Sequence, residues 1–264
     1  MPMFRLLAAS AVSLLATFAH ADCTLVADAA TRRIVREQGA CDTRITPAST
    51  FKIALSLMGF DAGVLKSEHA PVLHYRKGDP DWRESWIADT DPQKWMRDSV
   101  VWYSQRVTAA LGPQRFRRYV TAFHIGNEDV SGDPRRHDGL EWAWIDSSLQ
   151  VSSREELGFL EHVVRRELPV KPVAYEMTSR ITSIPGDHGG WEIHGKTGAG
   201  FPLLPDGRRD RAHAYGWFVG WATKGERTFV FVRQTQDQSV QDSPAGLRAR
   251  DAFLPGLPAA LDAP

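Results

Sequence analysis

The sequence predicts an α+β fold: one antiparallel sheet assembled from strands at both ends of the chain, helices packed on it, and a mainly helical middle region. Three observations carry this expectation. Residues 24–27 and 33–36 read as two short strands joined by a turn near Thr31. The middle of the chain carries helix-start signals and helical spacing of apolar residues. After residue 190 the period changes, and residues 191–197, 215–222 and 227–233 read as strands, the last two joined by the tight turn Thr223-Lys224-Gly225-Glu226.

Taken in order, the chain begins with a segment that is not expected to join the fold. Arg5 supplies a positive start, residues 6–18 are apolar, and Ala19-His20-Ala21 fits a small-x-small cleavage pattern. Residues 1–21 therefore read as a signal peptide and residues 22–264 as the mature domain. The apolar run is shorter than the ~20 residues of a membrane span. Asp22 stands before Cys23 where a lipid-anchored cysteine would want a small residue, so an exported protein without a membrane anchor is expected. Cys23 and Cys41 are the only cysteines. A hairpin centred on residue 32 sets them opposite each other, within disulfide reach, and an oxidising compartment favours the bond over two separate buried thiols. No zinc site is expected, because no further cysteines exist and the histidines lack ligand spacing.

Thr46 and Pro47 read as the N-cap and first position of a helix through residue 60. Phe51, Ile53, Ala54, Leu55, Leu57 and Met58 leave that helix almost no polar face, so it belongs at the centre of the fold. Residues 78–92, rich in Trp and Asp, read as loops, and residues 99–111 and 115–123 as helices. Ser152 and Glu155 form a capping box ahead of a helix whose core stripe is Leu157, Leu160, Val164 and Leu168. The charged runs Arg154-Glu155-Glu156 and 161–165 read as solvated helix faces. Residues 175–184 and 245–253 read as further helices.

Lys and Arg balance Asp and Glu, 32 to 32, which gives no footprint for nucleic acid. The segment from Gly190 to Thr197, G-W-E-I-H-G-K-T, nevertheless fits the phosphate-loop pattern letter for letter. Its surroundings argue against that reading. A turn, not a buried strand, precedes Gly190, and Gly198, Gly200 and Pro202 oppose the helix that should follow Thr197. Lys196-Thr197-Gly198 is expected instead at the exposed end of a strand, with Gly198 leaving room for a ligand to approach.

The second motif is Ser49-Thr50-Phe51-Lys52. Its spacing places the hydroxyl and the amine on one face of the helix, about one turn apart. A buried Lys52 would favour its neutral form, which suits a base. The motif is weak alone, but an unpaired lysine in an apolar helix is costly, and that setting strengthens it.

With Lys-Thr-Gly downstream, the pair matches serine enzymes that act on penicillins. The chain resembles the class D β-lactamases over nearly its whole mature length. The matching pieces are PASTFKIALSLMG, SVVWYSQ, IGNEDVSGD, WIDSSLQVS, HGKTG and GWFVGW, in family order. The resemblance implies a β-lactamase/transpeptidase-like fold and hydrolysis of penicillin-type β-lactams through a serine acyl-enzyme. It also implies a periplasmic location and the conferral of β-lactam resistance. It implies no cofactor except CO2 or bicarbonate, no metal, and a small-molecule partner, with monomer and dimer both open.

It further implies residue roles. Ser49 would be the nucleophile, and Lys52, carboxylated on its amine, the general base. Ser99 would relay a proton to the leaving nitrogen, and Val101 would wall the modified lysine. Trp144 would donate its indole N–H to the carbamate. Lys196 would supply positive charge, Thr197 would help hold the substrate carboxylate, and Gly198 would belong to the substrate-binding strand. The amides of Ser49 and Ala199 would form the oxyanion hole. Arg248 is the match for the carboxylate-binding arginine, with Arg250 an alternative. Read without the resemblance, Ser99 is a helix cap, Trp144 a core tryptophan and Arg248 a surface arginine. One departure stands out: Ile125 precedes Gly126-Asn127 where the family usually has an aromatic. A cell-wall peptidase sharing the acylation step and a non-enzymatic β-lactam sensor are the rival readings.

Overall fold

The computed structural model describes residues 22–263, so the expected signal peptide of residues 1–21 lies outside the described residues. Five antiparallel strands form one sheet: β1 (Cys23–Asp28), β2 (Ile34–Gly39), β3 (Glu192–Gly200), β4 (Tyr215–Lys224) and β5 (Arg227–Gln236). Their order is β2-β1-β5-β4-β3, so the N-terminal hairpin joins the late meander through β1 and β5. The α+β expectation holds, and β3 is left as the edge that faces the helical region.

The hairpin register differs from the symmetric one. Cys23 lies opposite Gly39, and the pairing shifts between Val26 and Ala27. Cys41 follows the strand rather than sitting across from Cys23. The disulfide still forms, with the two Cα atoms 5.1 Å apart. The chain turns back at Gly39, whose φ is +91°. A Cβ there would lie 2.0 Å from the Asp22 carbonyl oxygen, so only glycine permits the turn. Ala40 N–H then donates to that same carbonyl at 2.9 Å.

The helices are α1 (Lys52–Asp61), α2 (Pro92–Asp98), α3 (Val101–Leu111), α4 (Pro113–Ala122), α5 (Gly139–Trp142), α6 (Ser153–Val164), α7 (Pro172–Thr182), α8 (Ala245–Phe253) and α9 (Leu257–Asp262). α1 is buried from Lys52 through Phe60, as its apolar circumference requires. α6 packs on one face of the sheet, against β1, β4 and β5, and α1 shares the large apolar core on that side with Trp95, Trp102, Trp144 and Trp217. On the opposite face α8 and α9 cover Val26, Trp191, Phe218 and Phe231. Each such large side chain contributes about 1.5–3 kcal/mol on burial.

Local signals place most helix starts. Ser152 and Glu155 make the expected capping box on α6, with Ser152 N–H donating to the Glu155 carboxylate at 2.9 Å. Its inner face is Leu157, Leu160 and Val163; Val164 is partly exposed, and Leu168 is buried beyond the helix end. α2 lies between the segments that the sequence assigns to loop and helix. Asp91 caps it by accepting from Lys94 N–H at 2.7 Å, and Pro92 occupies its first turn. The expected cap at Thr46 is overturned. Its hydroxyl pairs with that of Tyr215, and its carbonyl accepts from Trp217 Nε1 at 3.2 Å. A 3-10 turn, Ala48–Phe51, intervenes before α1. Among the described residues no helix is long and apolar enough to cross a membrane.

Reduction of the Cys23–Cys41 bridge, which closes a sequence separation of 18, should lower stability by about 3 kcal/mol without removing the active-site geometry. Urea unfolding with and without reductant measures the difference, and two free thiols in the intact mass of the unreduced protein would count against the bond.

Candidate active site

Ser49 and Lys52 meet as the spacing requires. Lys52 Nζ donates to Ser49 Oγ at 3.1 Å. The lysine is fully buried, and burial, with smaller contributions from Lys196 and Arg83, holds its amine well below the usual lysine range. A neutral amine in contact with a hydroxyl can accept its proton. Ser49 itself is half-buried on the 3-10 turn. The residue before it, Ala48, adopts φ +51°, a left-handed conformation uncommon for alanine. Such strain persists only where surrounding contacts fix it. Here Ala48 N–H donates to the Trp144 carbonyl at 2.9 Å, and Phe51 stacks on the Trp144 ring at 5.5 Å.

Trp144 is therefore a core tryptophan and a neighbour of the Ser49 turn at once. Its indole N–H is buried without a hydrogen-bond partner. The segment behind it is pinned from α4. Ile125 is buried in the core, not displayed to the site. Gly126, at φ +51°, lets the chain pass against the Gln150 carbonyl, and Asn127 bonds Ser148 O at 2.8 Å and Gln150 N–H at 3.0 Å. The Ile-Gly-Asn triplet thus supports the loop that carries Trp144.

Lys196 and Thr197 lie on β3, but not at its end, since the strand continues to Gly200. Lys196 is buried, and burial, then Arg83 and Arg250, bring its pKa down to about 7. Its amine donates to the Thr197 carbonyl at 3.0 Å. Gly198 does not open a space for ligand. A Cβ there would fall 2.9 Å from Pro47 O and 3.1 Å from Thr50 Cγ2. The Ser49 turn fills that space and packs directly on the strand. A Cβ at Gly246 of α8 would fall 2.2 Å from Gly198 O. Glycine at both positions lets three backbone segments stack. Ala199, next along the strand, is exposed.

Ser99 ends α2 in the left-handed region, at φ +62°, and Val101, buried, opens α3. The cap reading of Ser99 is thus correct as geometry, at the C-terminus of a helix not foreseen. The two candidate arginines differ in setting. Arg248 pairs with Asp237, whereas Arg250 lines a cavity of about 240 Å³ with Lys196 and Thr197. Among the described residues no cluster of His, Cys, Asp and Glu has the makings of a metal site.

Two residues escaped the sequence reading. Arg83, in the loop before α2, influences both Lys52 and Lys196; nothing in its neighbourhood marks it. Glu156 overturns the solvated-face reading of its charged run, because it is 3% exposed. Its spacing to Leu160 and Val163 was the available signal.

The profile of the penicillin binding protein transpeptidase domain matches residues 17–255. The chain is 41% identical over 239 residues to beta-lactamase OXA-9 of Klebsiella pneumoniae, covering 89% of this chain and 86% of the relative. It is 37% identical over 213 residues to beta-lactamase OXA-1 of Escherichia coli, covering 80% and 74%. Among solved structures, the class D beta-lactamase OXA-427 superposes with a TM-score of 0.86 at 44% identity, over 91% of this chain and 98% of that one.

Gly198→Ala should displace the Ser49 turn, because its new Cβ meets backbone rather than a flexible side-chain tip. A misplacement near 1 Å costs up to about 10²-fold in reactivity. Labelling of Ser49 by an acylating probe should slow accordingly, and unchanged labelling would show that the contact does not position the serine.

Proposed function

The chain belongs to the class D β-lactamases, within the penicillin binding protein transpeptidase-domain family, and from that membership we propose that it hydrolyses the amide of penicillin-type β-lactams through an acyl-enzyme on Ser49 and so confers resistance. One observation carries the reading: a fully buried Lys52 amine 3.1 Å from Ser49 Oγ, where burial favours its neutral form. In acylation Ser49 Oγ attacks the lactam carbonyl and its proton passes toward Lys52. The backbone amides of Ser49 and Ala199 stabilise the oxyanion, where one donor typically contributes ~10²–10³ in rate. Ser99 delivers a proton to the leaving nitrogen, and Lys196 supplies positive charge. Val101 walls the buried amine. Thr197 and an arginine of α8 hold the substrate carboxylate, with Gly198 setting the approach of strand and serine.

A carboxyl group from CO2 on Lys52 Nζ would supply an anionic base for the serine proton and for the deacylating water. The residues fit it. Carboxylation needs a neutral amine, and burial at Lys52 favours that form. The Trp144 indole N–H is buried and unpartnered, and such a donor costs about 1–3 kcal/mol if left so. We also propose that residues 22–264 are the mature domain, exported to the periplasm; the Cys23–Cys41 bond supports an oxidising compartment.

Purified protein should turn over a chromogenic cephalosporin repeatedly. Ser49→Ala should lose both turnover and covalent labelling by penicillin while keeping its fold; persistent turnover in that variant would remove the covalent mechanism. A single stoichiometric burst from the wild type would indicate the peptidase-like alternative. Arg248→Ala and Arg250→Ala, compared side by side, identify the carboxylate partner as the one whose loss raises KM.

Acid should reduce activity in a specific way. As pH falls, the Lys52 amine takes up a proton and its carboxyl group is released as CO2. Added bicarbonate should then restore activity in the wild type, and should not rescue Lys52→Ala. Trp144→Ala should slow deacylation more than acylation, so acyl-enzyme accumulates in the intact mass. Indifference to bicarbonate at every pH, with normal deacylation in Trp144→Ala, would leave Ser49 needing another base.

A further inference from the structure

The chain leaves β3 beyond Ala199 and Gly200 as a short hairpin over residues 201–210. Leu203 pairs with Arg209 in an isolated bridge, Leu204 N–H donates to Arg208 O at 2.8 Å, and Asp210 N–H donates to Pro202 O at 2.8 Å. Arg209 reaches from this hairpin to two other parts of the fold. Its Nε lies 2.9 Å from Asp146 Oδ2, in the segment just past Trp144. Its guanidinium stands over the Trp82 ring, 5.8 Å from the centroid, and over the Phe201 ring at 6.0 Å. Such contacts draw a cation onto the face of an aromatic ring. Trp82 is anchored in turn on the rings of Trp86 and Trp142, at 5.5 Å and 6.0 Å, and Trp86 Nε1 donates at 2.9 Å to the carbonyl of Asp98, the neighbour of Ser99. A single guanidinium therefore spans the segments that lead to Ala199, Trp144 and Ser99.

The ion pair fixes that span. The Asp146 side chain is 11% exposed, and its Oδ1 is buried without a hydrogen-bond partner. A buried carboxylate needs its counter-charge, so Arg209 is held in place. Trp82 and Leu203, each 53% exposed, stand at the surface beside it. The bonding of the proposed substrate sets what faces them. With the lactam carbonyl at the Ser49 and Ala199 amides, the ring nitrogen lies to one side, and the carboxylate attached through that ring is directed to Thr197. The carbon that bears the acylamino group lies on the other side of the carbonyl. The acyl side chain then runs past Ala199 toward Phe201, Trp82 and Arg209.

We propose that Arg209, held by Asp146 against Trp82 and Phe201, closes the acyl-side-chain end of the cleft and selects β-lactams by the bulk of that side chain. Compact, unbranched acyl groups enter, and acyl groups crowded next to the amide are excluded. The proposal deepens, and rests on, the reading of the chain as a β-lactam hydrolase acylated at Ser49.

The test measures kcat/KM for two penicillins, one with a phenylacetyl side chain and one with an ortho-disubstituted benzoyl side chain. It compares wild type, Trp82→Ala and the double variant Arg209→Ala with Asp146→Asn. Trp82→Ala removes one wall and leaves the ion pair. The double variant removes the guanidinium without leaving a buried charge unpaired. Wild type should favour the phenylacetyl compound. The crowded-to-compact ratio of kcat/KM should rise on the order of 10-fold in each variant, the scale of a steric contact in a pocket. Trp82→Phe, which keeps a ring face for the guanidinium, should keep the wild-type ratio. A purely structural contact would lower both rates together and leave the ratio unmoved, and that result would overturn the proposal. A ratio that falls would overturn it too, by showing that these residues grip the side chain instead of excluding it. If the double variant does not fold, Trp82→Ala and Trp82→Phe decide. A wild type that turns over neither compound sinks the hydrolase reading and the proposal with it, whereas turnover of the compact penicillin with an unmoved ratio removes the proposal alone.

Discussion

An amine buried without charge organises this molecule. Lys52 sits on the most enclosed helix, and a lysine there is stable only if its proton is given up or its charge is matched. Among the described residues no carboxylate is bonded to it; burial, and the repulsion of Lys196 and Arg83, hold its pKa down. The neutral amine is therefore favoured, and it has the Ser49 hydroxyl as its partner. The unpaired Trp144 N–H lies in the same core, stacked through Phe51 on the first turn beside that amine. Desolvation, the main cost of placing the amine inside, is also what favours its unprotonated form, the one able to take a proton.

The serine is held by backbone rather than by side chains. Its turn is fixed on one side by the Ala48 bond to Trp144, and on the other by contact with Gly198 of β3. Gly198 is itself backed by Gly246 of α8, and Gly216 of β4 lets the start of α8 approach the sheet, since a Cβ there would fall 2.4 Å from Ala245. Small residues at these positions transmit the placement of a helix on one face of the sheet to a turn at its edge. Close-packed backbone has little room to relax, so the geometry is stiff. The left-handed residue Ala48 occurs where this stiffness is available to hold it.

The helical region completes the site through loops that have their own anchors. Asn127 and Gly126 fix the strand-like passage at residue 150, which sets the Trp144 segment. The Asp91 cap fixes α2, and hence Ser99 at its end. Ile125 serves the first of these anchors from within the core, so its difference from an aromatic residue bears on support of the loop and not on a side chain displayed to substrate.

Much of this was written in the chain itself. The apolar circumference of α1, the capping box of α6, the tight turn between β4 and β5 and the bounds of α8 all follow from local rules, because each depends on residues within a few positions of one another. The Ser49–Lys52 contact belongs with them, since one helical turn brings those atoms together. Tertiary structure decided the rest. Gly198 looked like an opening and is a packing contact; Glu156 looked solvated and is buried; Arg248 and Arg250, two residues apart, face an aspartate and a cavity respectively. The hairpin register also shifted, although its disulfide survived. In each case the outcome depends on which distant segment fills the adjoining space. Periodicity tells which face of an element turns inward, but the polar partner waiting there is set only when the elements dock.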